Sequence, residues 1–88
     1  MMSSSQSKDV LNRLARIKGH VASIHEMVEA DRSSSELILQ IVAVRSALNK
    51  VAQIILMAQL EQFQINADSG SNYETELANF RKALDLII

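Results

Sequence analysis

Apolar residues return along this chain in alternating steps of four and three. From the N-terminal side they are Val10, Leu14, Ile17, Val21, Ile24 and Val28. That rhythm keeps one seam of a helix turned toward a neighbour. It predicts a first helix over residues 8–30. The polar run Asp31-Arg32-Ser33-Ser34-Ser35-Glu36 interrupts it. Ser33 and Glu36 have the spacing of a capping box, so a second helix is expected over residues 34–65. Its first seam is Leu37, Ile41, Val44, Leu48, Val51, Ile55 and Ala58. A second set, Ile38, Val42, Ala52, Leu56, Leu60 and Phe63, lies off that seam. A helix apolar on more than one side must be covered on more than one side. The first helix can cover one of them. The expectation is therefore a homodimer with the second helix at its centre.

A polar linker, Asn66-Ala67-Asp68-Ser69-Gly70-Ser71-Asn72, separates a third helix expected over residues 72–87. Ser71 and Glu74 repeat the capping-box spacing. Tyr73, Leu77, Phe80, Leu84 and Ile87 again step by four and three. Residues 1–7, rich in serine, are expected to form a disordered tail. Residues 8–88 are then one all-α domain of three helices.

Composition supports the helical reading and removes several chemistries. The chain of 88 residues is 48% apolar, with three aromatic residues, no proline, and Gly19 and Gly70 as its glycines. Sheet-based folds need more turn residues. The absence of cysteine removes disulfides, thiolate metal ligands and cysteine nucleophiles together. The serines lack a base and an orienting third group, and Ser33, Ser34 and Ser35 read as cap and loop residues. Gly19 falls inside the first helix and is expected to permit close approach of another helix, a ligand or a DNA backbone. The N-terminal residues lack the pattern of a signal peptide. No uncharged apolar run reaches membrane-spanning length. A cytoplasmic protein with no membrane partner is expected.

Histidine offers little to a metal. His20 and His25 are five residues apart, about 140° around a helix. His25 and Glu29 at i, i+4 make at most a weak two-ligand site. No cofactor is expected. Charge is more informative. The net charge is −1, yet Lys8, Arg13, Arg16 and Lys18 are opposed over residues 8–18 by Asp9 alone. Arg13, Arg16 and His20 share one helix face, and Arg45 and Lys50 add charge on the second helix. Guanidinium and ammonium groups suit phosphate, and oligomerisation would repeat the patch. A solvated helix face is the plainer reading of the same residues.

Leu11-Asn12-Arg13-Leu14, then Arg16-Ile17-Lys18-Gly19-His20, Met27-Val28-Glu29-Ala30-Asp31, and Gln40-Ile41-Val42-Ala43-Val44-Arg45-Ser46-Ala47-Leu48 form a pattern that resembles the copper-sensing operon repressor family (CsoR/RcnR). The resemblance runs without a gap from Val10 to Phe63. It implies an antiparallel four-helix-bundle dimer, assembled as a disc-shaped tetramer of two dimers. It also implies operator DNA as partner, bound without a helix-turn-helix and released by an effector. The family's basic positions fall on Arg13 and Lys50. Its metal-ligand positions fall on Ser34, Gln59 and Phe63. An alcohol, an amide and a phenyl ring provide no soft ligand for Cu(I). These three residues are instead expected to close or line an effector pocket between subunits, suited to an uncharged or organic molecule.

The expected function is thus a DNA-binding transcriptional repressor, not an enzyme, with Arg13, Arg16, Lys18, Arg45 and Lys50 contacting phosphates. Two other readings compete. Small helical chorismate mutases use cationic clamps, and Arg13, Arg45 and Gln59 can be cast in that role. A helical oligomer that pairs with a paralogue and no longer binds DNA is the other.

Overall fold

The structure, a computed structural model, describes residues 2–66 and 73–87, with the backbone alone for residues 63–66 and 73. Three helices follow in order: α1 (Ser4–Glu29), α2 (Ser34–Asn66) and α3 (Tyr73–Ile87). α1 and α2 form a hairpin. α3 packs on α2 and makes no contact with α1 among the described residues. The Ser71–Glu74 cap and the linker over residues 67–72 lie outside the described residues.

α1 begins earlier than its apolar pattern suggests. Residues 4–7, expected to be disordered, are helical. The Ser3 Oγ accepts from the Gln6 N–H at 3.1 Å, and the Gln6 Oε1 accepts from the Ser3 N–H at 2.8 Å. This reciprocal cap satisfies two backbone donors that a helix start leaves without partners. Met2 packs against the core beyond it. The serine-rich segment is thus a capping signal rather than a tail.

α1 ends in a reversal built from the backbone. The Arg32 N–H donates to the Met27 carbonyl, and the Asp31 N–H donates to the Val28 carbonyl, both at 3.0 Å. This pattern requires a left-handed residue, and Asp31 supplies it at φ 57°. Aspartate tolerates that conformation better than most side chains. At the start of α2 the Ser33 Oγ accepts from the Glu36 N–H at 3.3 Å. The expected return contact does not form: the Glu36 carboxylate instead pairs with Arg32 at 2.8 Å.

The hairpin divides each apolar seam into two rows. Val10 and Ile17 are buried, and Ile24 packs beside them, against Val44 and Val51 of α2. Ala58, a further seven residues along α2, is buried as well. The alternate positions are open. Leu14, Val21 and Val28 of α1 are 39, 49 and 59% exposed, and Ile41 and Leu48 of α2 are 54 and 45% exposed. At 100° per residue these open rows fall on the same side of the hairpin. The subunit is correspondingly thin, with extents of 56 × 26 × 13 Å between Cα atoms. One helix with its side chains is about 10–12 Å across, so this is a single layer. A domain needs at least two layers to cover its apolar faces.

Gly19 does not mediate close helix packing here. A Cβ placed on it would meet nothing within 4 Å. Nor is α2 short of membrane-spanning length: within Ser34–Gln62 a window of 18 residues reaches a mean hydropathy of 1.5. Arg45 and Lys50 interrupt that stretch near its middle, where a bilayer disfavours charge. The breadth of its apolar surface is that of a central helix in a helical assembly.

Candidate nucleic-acid interface

The other side of the hairpin carries the cations. Arg13 and Arg16 are one turn apart on α1, and His20 follows one turn later. With Ile17 and with Ala47 of α2 they line an open groove of about 220 Å³. Both rims are held. The Arg13 Nε donates to the Asp9 carboxylate at 3.1 Å, an i, i+4 pair with side chains 33 and 47% exposed. An ion pair this open adds little stability, but it fixes the direction of a long side chain. The His20 Nε2 lies 2.6 Å from the Gln40 Oε1 of α2. A carbonyl oxygen only accepts, so Nε2 carries the proton and donates.

The five residues expected to contact DNA do not share one surface within a subunit. Taking Ile17 as the centre of the α1 contact, Arg13 and Arg16 lie on the groove flank and Lys18 on the other. On α2, Arg45 and Lys50 are about 140° apart. Lys50, one turn after Ala47, lies on the groove side. Arg45 lies among the open apolar positions Ile38, Ile41 and Leu48. One side therefore has Arg13, Arg16 and Lys50. Lys18 and Arg45 flank the apolar side.

Asp9 and Gln40 escaped the sequence reading as parts of this site. The Asp9–Arg13 spacing is a recognisable helical ion pair. The His20–Gln40 contact had no local signal, because it depends on the register of the hairpin.

Ser34 and Gln59 are not brought together within the subunit. They are 25 positions apart on one helix, about 37 Å. Ser34 is exposed at the start of α2. Gln59 borders a cavity of about 340 Å³ between α2 and α3, with Leu56, Glu76 and Asn79. The Phe63 side chain lies outside the described residues. His25 pairs with Glu29 at 2.9 Å with both side chains largely exposed, and His20 is too far along α1 to join them. Among the described residues no three histidine or carboxylate side chains converge as metal ligands.

Comparison with known proteins places this arrangement. The model of the metal-sensitive transcriptional repressor family matches residues 6–87. The chain belongs to this family. Its relatives include the copper-sensing transcriptional repressor CsoR of Bacillus subtilis (strain 168), 46% identical over 54 residues. That match covers 60% of this chain and 54% of CsoR, so it spans about half the relative's length. Among solved structures, the nickel-responsive transcriptional regulator InrS superposes with a TM-score of 0.75 at 37% identity, over 92% of this chain and 91% of that one. The three-helix, all-α fold is therefore the fold of metal-sensitive repressors. One of these relatives is a transcriptional repressor and the other a transcriptional regulator, which supports the repressor reading over the mutase alternative. The cationic clamp it invoked is also not assembled within the subunit, since Arg13 and Arg45 lie on opposite sides of the hairpin.

Proposed function

We propose that the chain is a DNA-binding transcriptional repressor that acts as a dimer or a tetramer of two dimers in the cytoplasm. The observation that carries this reading is the two-sidedness of the hairpin. One side exposes Leu14, Val21, Val28, Ile41 and Leu48 in continuous rows. A second copy of the same face covers them and completes a four-helix bundle. The opposite side then displays the Arg13, Arg16 and Lys50 cations once per subunit, as a repeated surface for DNA phosphates. Lys18 and Arg45 reach DNA only from the edges of the assembly.

On the family resemblance, the sensory half of that chemistry is not expected here. Ser34, Gln59 and Phe63 replace soft donors, and an antiparallel pairing is what would place Ser34 of one copy beside Gln59 of another. We assign that interface to an uncharged or organic effector. Ligand binding that favours one assembly geometry over the other would release the DNA. A copper titration checks the metal-blind part: no stoichiometric complex is expected. A tight complex abolished by Ser34→Ala and Gln59→Ala would overturn it.

Arg13→Ala tests the role of that side chain on DNA. Affinity should fall about tenfold for every bound fragment, and the salt slope should drop by roughly 0.9 for each phosphate left without its cation. Fluorescence anisotropy across salt concentrations measures both. Unchanged affinity and slope would remove Arg13 from the DNA-facing surface.

A further inference from the structure

The Arg13–Arg16–His20 groove has features that a diffuse basic patch lacks. Its volume of about 220 Å³ accommodates a single small anion. Its cations come from one helix at successive turns, so their spacing is set by the backbone. The Asp9 carboxylate, one turn earlier on α1, accepts from the Arg13 Nε at 3.1 Å. Gln40, from the other helix, holds the His20 ring at 2.6 Å. Ile17 and Ala47 form an apolar floor, which weakens competition from water. Fixed donors around a partly desolvated space are the requirements for recognising an oxyanion.

The tautomer of His20 adds a second constraint. Nε2–H is committed to the Gln40 oxygen. The remaining ring nitrogen, Nδ1, accepts in the neutral ring and donates only in the imidazolium. A neutral His20 thus has a lone pair and no donor to offer an anion through its second ring nitrogen. In the seat, His20 donates to the oxyanion through Nδ1. The neighbouring charges are Arg16, one turn before His20 on α1, and Glu36, one turn before Gln40 on α2. Glu36 is engaged by Arg32 at 2.8 Å.

We propose that this groove is a seat for one tetrahedral oxyanion, with His20 as its third cation and Gln40 as the residue that positions His20. The chemistry is shared by a DNA phosphodiester and by a free oxyanion, and the latter would compete with DNA for the seat. The DNA arm rests on the repressor reading; the free-anion arm does not.

The test is ring-nitrogen NMR of His20 in the full-length protein at fixed pH, with His25 as internal control. His25 is exposed and pairs with Glu29 away from the groove. Sulfate is the free probe, since its charge does not change near neutral pH, and chloride keeps the ionic strength constant. Both DNA and sulfate should move Nδ1 of His20 saturably toward the imidazolium signal while His25 stays in place. His20→Ala should weaken DNA binding about tenfold, as expected when a hydrogen bond to a charged group is removed. Gln40→Leu should weaken it less and should broaden the His20 response. A response to DNA without one to sulfate supports the seat for phosphodiester alone. A response to sulfate with no DNA binding supports the seat and sinks the repressor reading. DNA binding with His20 unmoved, and no sulfate response, overturns the seat and leaves the repressor reading standing.

Discussion

The two sides of the α1–α2 hairpin have the same backbone and opposite chemistry. One side exposes Leu14, Val21, Val28, Ile41 and Leu48, although each continues a seam whose alternate members are buried. The other has a cationic groove in which Arg13 and His20 already have partners within the subunit. The first side is incomplete in one copy and the second is complete. The proposed function puts assembly and recognition on different faces, so a substitution on one should leave the other measurable.

The largest expected effect comes from breaking the apolar side. Leu48→Glu places a carboxylate in the proposed subunit interface, at a cost of several kcal/mol for burying an unpaired charge. Sedimentation should show monomers, with loss of helicity at low concentration. An unchanged assembly would remove Leu48 from any interface. Val51→Ala, on the row already buried at 5% exposure, sharpens the contrast. It should cost about 1–3 kcal/mol in a thermal or denaturant melt through poorer packing. Because it leaves the partner face intact, the folded protein should keep its oligomeric state. The smallest effect belongs to Gly19→Ala, on the outward face of α1. Open space around a new Cβ predicts a gain of about 0.5–1 kcal/mol in stability. If stability rises while DNA affinity falls, the outward face of α1 approaches the DNA.

Much of the fold was legible because helical periodicity and caps are local. The three helices, the break at Asp31 and the Ser33 cap follow from residues within a turn of one another. The Ser3–Gln6 cap was equally local, but a run of serines without apolar periodicity resembles a tail. Which members of a heptad seam are buried was not legible. Leu14 and Ile17 occupy the same pattern in the sequence, and only the direction of the α2 contact separates them.

The site divides in the same way. Arg13, Arg16 and His20 share a face by spacing alone, and in the hairpin they line one groove. Their separation from Lys18 and Arg45 depends on where α2 lies. So does the Gln40 contact, which joins residues 20 positions apart. The length of α2 keeps Ser34 and Gln59 apart within one subunit, so pairing them requires a second subunit.

The most direct measurement is selection of bound fragments from the source genome with the purified protein, followed by affinity across salt concentrations. A repressor should enrich a few upstream regions and bind them more tightly than bulk DNA, with a steep salt dependence. No enrichment, with residual binding abolished at physiological salt, would contradict the claim that this chain is itself a repressor.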